Sequence, residues 1–259
     1  MTTKNLPIYI FSDIHLELQR CKLQLHGFSC ESHACDAILV LAGDIGNPYS
    51  KSYKNFLDTV SKKFTKVFIV AGNHEYYNNG KTVEETNTHI DSICRKFGIS
   101  FLNNSHEYYN GYMWIGTTLW SNVSKNTEYY INDTKCIKSM TLEKYNSLHK
   151  ASLEYFETFN AFKGLDCSES LDCSDKIIIT HHVPLHELTH EVYKDSPYYK
   201  WFSSDMSKLI KDMKNVRAWI YGHTHMASVQ SMYGIKFICN PIGYNDEISL
   251  YTLDPFIID

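Results

Sequence analysis

The chain lacks the long apolar segment that a membrane protein needs. No stretch of its 259 residues approaches the roughly 18 uninterrupted apolar residues of a membrane-spanning helix. The N-terminal stretch MTTKNLPIYIFSD has neither the basic start nor the small-residue cleavage site of a secretory signal. We therefore expect a soluble, cytoplasmic protein without a membrane partner.

Paired cysteines and an excess of positive charge are also missing. The eight cysteines are scattered, without the CxxC pairs of zinc knuckles or redox sites, and we interpret them as reduced thiols. The net charge of -4 provides no basic field for a nucleic-acid backbone, so nucleic acid is not expected as a partner. The chain does have 43% hydrophobic residues, enough to bury the core of one domain spanning residues 1–259.

Short apolar segments alternate with amphipathic ones along the chain. Five runs rich in β-branched and aromatic residues predict strands buried on both faces, at 8–13, 36–44, 66–74, 176–182 and 216–225. Helical periodicity and end signals predict helices at 50–64, 83–98 and 141–159. The end of the chain predicts successive antiparallel strands at 228–234, 235–240 and 248–254. This alternation favours an α/β sandwich.

Polar residues gather where the predicted buried strands stop. The five strands end in SDIH, GDIGN, GNHE, THH and GHTH. Singly, such residues are usually caps, turn residues or ordinary polar groups. Together they meet at the carboxyl ends of strands, where open α/β sheets place ligand sites. They offer oxygen and nitrogen ligands and no cysteine: Asp13, His15, Asp44, Asn73, His181, His223 and His225.

This donor set predicts a metal centre with two ions. Oxygen and imidazole ligands suit hard or borderline ions such as Mn²⁺, Fe or Zn²⁺. Seven protein ligands are too many for one open catalytic ion, so two divalent ions that share a carboxylate fit better. We expect Mn²⁺, with Fe, Zn²⁺, Ni²⁺ or Mg²⁺ as alternatives. Two such ions lower the pKa of the water between them and hold a phosphate group during in-line displacement.

The ordered motifs D-x-H, G-D-x-x-N, G-N-H-E, H and G-H-x-H, between residues 13 and 225, resemble the calcineurin-like metallophosphoesterase superfamily, in particular its small stand-alone members. The resemblance implies a four-layer α/β/β/α sandwich with mixed sheets. It implies that His74 contacts the phosphate and protonates the leaving oxygen. It also implies two ligand groups around a bridging Asp44: Asp13, His15 and His225 for the first ion, and Asn73, His181 and His223 for the second.

Two side chains beside this set are harder to assign. The segment THHVP does not say which imidazole points inward; the resemblance favours His181 as the ligand, with His182 as the alternative. Glu75 is expected to be an acceptor that orients a ligand imidazole rather than a ligand itself.

The expected reaction is hydrolysis of phosphate mono- or diesters, with a metal-bridging hydroxide as nucleophile and no covalent intermediate. Protein serine/threonine phosphatases of this superfamily carry G-D-x-x-D-R-G, whereas this chain has Asn47 and no Arg in GDIGNPY. A small-molecule or nucleotide phosphate ester is therefore the expected substrate. A nuclease and a catalytically silent binding scaffold are the alternatives, and the complete ligand set disfavours the scaffold.

Three surrounding segments are expected to shape substrate binding. His186 and His190 follow THHVP in an aromatic-rich loop that could fold over the metal ions. The polar stretch 121–136 could form the opposite wall. In CNPIGY, Ile242 stands where related segments often have an Arg, which removes a possible phosphate contact.

Overall fold

The structure, a computed structural model, describes residues 6–18, 35–124, 131–160, 174–194, 196, 198–244, 247 and 250–258. Its strands are β1 (Ile8–Phe11), β2 (Cys35–Ala42), β3 (Phe64–Val70), β4 (Ser100–Phe101), β5 (Ser105–Tyr109), β6 (Tyr112–Thr117), β7 (Asp175–Thr180), β8 (Val216–Tyr221), β9 (Ser228–Met232) and β10 (Ile235–Cys239). Its helices are α1 (Lys51–Lys63), α2 (Val83–Phe97), α3 (Asp133–Cys136), α4 (Leu142–Asn160), α5 (Glu191–Lys194) and α6 (Ser207–Asp212). No helix in these ranges is long and apolar enough to cross a bilayer.

The described strands form two sheets. The first has the order β1-β2-β3-β4 and all of its pairs are parallel. The second has the order β5-β6-β7-β8-β10-β9. It is mixed, because β6, β7, β8 and β10 are parallel to one another, while the edge strands β5 and β9 pair antiparallel with β6 and β10.

Three apolar layers hold the sheets and helices together. Between the sheets, Ile10, Val40 and Ile179 are buried in one cluster, where the rings of Phe68 and Trp114 stack at 4.4 Å. Helices α1 and α2 pack on the outer face of the first sheet, and α4 and α6 pack on the outer face of the second. The predicted four-layer α/β/β/α sandwich is therefore confirmed.

The ends of α1 and α2 are satisfied by local hydrogen bonds, and Gly98 acts as the predicted stop signal. The Ser50 side chain accepts the Tyr53 N–H at the start of α1. Thr82 and Glu85 form a capping box at the start of α2, and Gly98 ends that helix with φ of 69°. Left-handed backbone of this kind suits glycine because it has no Cβ to clash.

The structure corrects the predicted strands at two places. The hairpin of β5 and β6 was not predicted in full, although Asn110-Gly111, both at positive φ, is a typical hairpin turn. The strand predicted at 248–254 is wrong for its described residues 250–254, which form no strand. There the Asn240 side chain satisfies the backbone instead, because it donates to Thr252 O and accepts from Thr252 N–H, both at 2.9 Å.

Candidate metal centre

Five strands of the two sheets end at one edge of the sandwich, and the turn after each carries predicted ligands. The turns after β1 and β2 are tied together, because Asp13 N–H donates to Gly43 O and His15 N–H donates to Asp44 O, each at 3.0 Å. Gly222 N–H donates to His181 O at 3.0 Å, which ties the turn after β8 to that after β7. The packing of the strands therefore sets where the ligands point.

The backbone at this edge is strained. Asp13, His15, Asp44, His223 and His225 all have φ between 51° and 72°, in the left-handed region that costs a residue with a Cβ free energy. Such conformations persist where surrounding contacts hold them, and they concentrate at functional sites. Five of the seven predicted ligands lie in this region, which marks the edge as a site selected for geometry rather than stability.

The first group of predicted ligands, Asp13, His15 and His225, lies close together. His15 Nε2 is 3.2 Å from His225 Nε2, and His225 Nε2 is 3.4 Å from Asp13 Oδ1. Asp13 is fully buried and accepts the Ser12 hydroxyl and the His223 N–H. One ion could be bound by these three side chains.

The second group, Asn73, His181 and His223, converges in the same way. His181 Nε2 is 3.2 Å from Asn73 Oδ1 and 3.1 Å from His223 Nδ1. Asp44 lies between the groups, because its Oδ2 is 3.4 Å from His181 Nε2 and 3.9 Å from His15 Nε2. A methyl group on Gly72 would collide with the Asp44 carboxylate, so glycine is needed for this close approach. The structure thus brings all seven side chains together.

The chemistry of these atoms fits metal cations. His181 Nδ1 is 2.9 Å from Ala42 O and His15 Nδ1 is 3.0 Å from Glu17 Oε1, contacts that require a proton on each Nδ1. The Nε2 lone pairs therefore point inward, toward the nitrogens of His223 and His225. Bare nitrogens about 3 Å apart repel each other unless a proton or a cation lies between them.

The electric field at the site also attracts cations. Although burial opposes a charged imidazole, Asp44 raises the pKa of His181 to about 10. In the same way, against burial, the hydrogen bond to Asp13 raises the pKa of His225 to about 9. Burial would also raise the pKa of Asp44, but His181 and His74 hold it well below its usual value. Anionic carboxylates thus stabilise positive charge where the predicted ions would lie.

Of the two adjacent histidines in THHVP, the structure directs His181 into the second group. His182 points the other way, with its Nε2 3.3 Å from the Tyr145 hydroxyl and its ring stacked on that of His223 at 4.3 Å. Burial holds the pKa of His182 well below its usual value. This imidazole is therefore uncharged and packs behind the ligand His223. This geometry favours the expected choice of His181 over His182.

His74 stands beside both groups. Its backbone N–H donates to Asp44 Oδ1 at 2.8 Å, its ring stacks on Tyr77 at 4.3 Å, and its Nδ1 is 3.3 Å from Glu17 Oε1. Burial opposes protonation, but Asp44 and Glu17 raise the pKa of His74. Because Nδ1 faces Glu17, Nε2 is the nitrogen left to face a substrate.

Two carboxylates that support the ligands were not predicted from the sequence. Glu17 contacts His15 and His74, and Glu247 Oε2 is 2.6 Å from His225 Nδ1. Burial disfavours the charged form of Glu17, but the hydrogen bonds from His15 and His74 lower its pKa to about 2. The only sequence signal was the position of Glu17 in SDIHLEL; nothing local pointed to Glu247.

The expected role of Glu75 was wrong in one respect. The carboxylate is fully buried and accepts the backbone N–H groups of Asp44, Ile45, Gly46 and Gly72, at 2.7 to 3.2 Å. It holds the backbone after β2 and β3 rather than a ligand imidazole. The physical reason is the left-handed turn at Asp44, which leaves successive N–H groups pointing to one side, where a carboxylate satisfies them.

A cavity of about 290 Å³ opens onto the ligands. Of the predicted opposite wall, 121–136, Ile131, Asn132 and Asp133 line the cavity, and residues 125–130 lie outside the described residues. The loop after THHVP contributes Thr189, Tyr193, Tyr199 and Phe202. The two histidines expected from that loop are not among the described residues that line the cavity. One reason is that His186 Nδ1 contacts Ser203 Oγ at 2.7 Å.

The CNPIGY segment supports the site through its backbone. Ile242 is buried in the core, so its side chain does not face the cavity. Its N–H donates to Ser12 O, and the Gly243 N–H donates to Asp13 O, each at 3.0 Å. The ring of Tyr244 packs 4.5 Å from that of His225. This segment therefore holds the turn that carries Asp13 in place.

Comparison with known proteins gives the class. Residues 6–227 match the family model described as calcineurin-like phosphoesterase, so the chain belongs to the calcineurin-like phosphoesterase family. An uncharacterized protein of Acanthamoeba polyphaga mimivirus, L509, is 32% identical to this chain, over 96% of it and 97% of the viral protein.

Two solved structures share the fold. The phosphopantetheinyl hydrolase PptH of Mycobacterium tuberculosis matches with a TM-score of 0.67 and 15% identity, over 94% of this chain and 91% of that one. A putative 5'-nucleotidase of Staphylococcus aureus matches with a TM-score of 0.51 and 13% identity, over 93% of this chain and 49% of that one. At these identities the likeness concerns the fold alone.

Proposed function

We propose that this protein is a dinuclear metal-dependent hydrolase of phosphate mono- or diesters, with a small-molecule or nucleotide substrate. The observation that carries the proposal is the pair of ligand groups joined by Asp44, whose Oδ2 lies 3.4 Å from His181 Nε2 and 3.9 Å from His15 Nε2. Mn²⁺ is the proposed ion in both sites, because oxygen and imidazole donors suit it.

Each group would hold one ion. The first ion is assigned to Asp13, His15 and His225 and the second to Asn73, His181 and His223, with Asp44 shared. When bound, two divalent ions supply Lewis acidity for the phosphate oxygens and a water of lowered pKa for attack on phosphorus.

His74 is the proposed general acid. It lines the cavity. Its Nδ1 keeps a proton that it donates to Glu17, while the proton on Nε2 moves to the leaving oxygen. As the bond from phosphorus to that oxygen breaks, a new bond forms from phosphorus to the oxygen of water, whose proton passes to solvent. The neutral ring then takes a proton from solvent to begin another cycle. Such a step typically contributes about 10²- to 10⁴-fold to the rate.

The cavity supports a small substrate. Its volume of about 290 Å³ is near the lower end of the range for small-molecule sites, roughly 300 to 1,000 Å³. Its described lining includes no Lys or Arg. These walls therefore provide no positively charged side chain to bind additional phosphate groups of a substrate. The aromatic rings of Tyr193, Tyr199 and Phe202 suit a planar or apolar leaving group.

A cytoplasmic location and a single catalytic domain across residues 1–259 belong to the same proposal. Cys94, Cys136 and Cys239 are free thiols, as in proteins of reducing compartments. Both sheets of the sandwich contribute ligands, so neither sheet alone forms the site.

The test starts from metal-stripped protein given Mn²⁺, Zn²⁺, Mg²⁺ or no metal, with p-nitrophenyl phosphate and bis-p-nitrophenyl phosphate as substrates. We expect a transition metal to restore hydrolysis. His74→Ala should lower kcat by about 10²- to 10⁴-fold and keep both ions, whereas Asp44→Asn should lose ions and activity together.

His106→Ala is a matched control, because this exposed histidine pairs with the Tyr155 hydroxyl away from the site. It should keep both ions and full activity. Unchanged hydrolysis in both His74→Ala and Asp44→Asn would mean that the reaction occurs elsewhere. Two bound ions with no hydrolysis of either ester would favour an enzyme with a narrow natural substrate or a binding scaffold.

A further inference from the structure

Glu17 lies between two imidazoles with different proposed tasks. Its Oε1 is 3.0 Å from Nδ1 of His15 and 3.3 Å from Nδ1 of His74. The two rings meet edge to face, with centroids 4.6 Å apart. One carboxylate oxygen therefore accepts from a proposed metal ligand and from the proposed general acid at once.

We propose that Glu17 is a positioning residue that aligns His15 and His74 together, so that the general acid is set relative to the first ion. This inference rests on the proposed function of His74. A carboxylate that accepts Nδ1–H fixes the tautomer and the ring direction of a histidine. Because the Nδ1 atoms of both rings are hydrogen-bonded to the same oxygen, Nε2 of His15 faces the first ligand group and Nε2 of His74 faces the cavity.

The environment of Glu17 suits this role. The side chain is only 25% exposed, and its other oxygen, Oε2, is buried without a hydrogen-bond partner among the described residues. That oxygen also lies close to Gly46, where an added methyl group would sit 3.3 Å away. The carboxylate thus has little room to rotate away from the two rings, so the alignment of one imidazole restrains the other.

Glu247 provides a matched comparison within the same ligand group. Its Oε2 is 2.6 Å from His225 Nδ1 and accepts the Tyr244 N–H at 2.7 Å. It therefore supports one ligand of the first ion, as Glu17 supports another. No hydrogen bond joins Glu247 to His74 among the described residues, whereas Glu17 contacts that ring directly. The two glutamates therefore differ in that only Glu17 contacts the proposed general acid, His74, among the described residues.

The experiment compares Glu17→Gln and Glu247→Gln on two esters, p-nitrophenyl phosphate and phenyl phosphate, in protein saturated with Mn²⁺. Phenolate is the more basic leaving group, so it depends more on protonation by an acid. We expect Glu17→Gln to lower kcat about 10²-fold on phenyl phosphate and clearly less on p-nitrophenyl phosphate. Glu247→Gln should affect both esters equally. If Glu17→Gln lowered kcat equally on the two esters, or if further Mn²⁺ restored kcat, Glu17 would only support metal binding. Either result would overturn the inference.

A second measurement does not need activity. In long-range ¹H–¹⁵N spectra of the Zn²⁺-loaded protein, His74 Nδ1 should be protonated, and the signal is assigned by its loss in His74→Ala. Glu17→Gln should shift that signal and the His15 signal, while Glu247→Gln should shift only His225. A His74 signal unchanged by Glu17→Gln would overturn the inference. Shifts as expected in a protein that hydrolyses no ester would count against the proposed function instead. Glu17→Asp keeps the negative charge on a shorter side chain, so its loss of kcat on phenyl phosphate should be smaller than that of Glu17→Gln.

Discussion

The two ligand groups of the site differ in what stands behind them. In the first, Glu17 accepts from His15 Nδ1 and Glu247 accepts from His225 Nδ1, and Asp13 adds a charge of its own. In the second, His181 Nδ1 faces the backbone carbonyl of Ala42. The remaining nitrogen of His223, Nε2, has no hydrogen-bond partner among the described residues.

The site is therefore asymmetric in charge although it is nearly symmetric in ligand type. The first group has one carboxylate of its own and two more behind its imidazoles, whereas the second has an amide, Asn73, and only a share of Asp44. Anionic partners raise the basicity of ligand imidazoles and hold their direction. We therefore expect the first group to bind its ion more tightly, and the second to bind the ion that exchanges more readily.

The largest predicted effect is a change in the number of bound ions when a ligand of the second group is removed. His181→Gln should reduce the stoichiometry from two Mn²⁺ per chain to one and leave the tighter binding step intact, because it does not touch the first group. Calorimetric titration of metal-stripped protein measures both quantities.

The matched control is the adjacent residue. His182→Gln should keep two binding steps, because its imidazole contacts Tyr145 and stacks behind His223. The reverse outcome, one ion in His182→Gln and two in His181→Gln, would exchange the roles of these histidines.

The two Mn²⁺ affinities of the unaltered protein should also differ. Carboxylates behind ligand imidazoles typically contribute about 10- to 100-fold to metal affinity, so Mn²⁺ should bind in two steps separated by at least about tenfold. The tight step should disappear in His225→Gln and persist in His181→Gln. Two steps of equal affinity would mean that the charges behind the first group do not act on the ion.

The family resemblance implied the four layers, whereas the sequence itself predicted the buried strands and the residues at the strand ends. It could do so because these signals are local: apolar runs mark buried strands, and motifs at their ends inherit a shared edge from the parallel pairing. The strand predicted at 248–254 was wrong for residues 250–254, because the Asn240 side chain takes the hydrogen bonds that a strand partner would have made. Propensity does not show which group satisfies a backbone.

The supporting carboxylates could not be predicted because their contacts are made by tertiary structure. Glu17 reaches His74 across 57 positions and Glu247 reaches His225 across 22. Glu75 was recognised as a supporting residue, but its partners depend on the left-handed turn at Asp44. In the same way, the direction of His181 depends on the carbonyl of Ala42 in the facing sheet. Residue types at a site are local information, whereas the groups behind them are not.

The smallest predicted effect concerns a hydrogen bond between uncharged side chains that supports the second group. The Asn73 Nδ2 donates to the Tyr77 hydroxyl at 2.9 Å, which turns Asn73 Oδ1 toward His181. Tyr77→Phe removes this hydrogen bond and keeps the ring that stacks on His74. A neutral hydrogen bond contributes about 0.5 to 1.5 kcal/mol, so the weaker Mn²⁺ step should lose about two- to tenfold in affinity.

Tyr76→Phe is the control, because the Tyr76 hydroxyl donates to Asn87 at 2.7 Å and not to a ligand; it should leave both steps unchanged. The effect of Tyr77→Phe should be confined to the weaker step, since the first group is held by charged partners that this substitution does not alter. Equal weakening of both steps would mean that the ions bind as a coupled pair through Asp44. The asymmetry of the supporting groups would then describe the structure but not the order in which the ions bind.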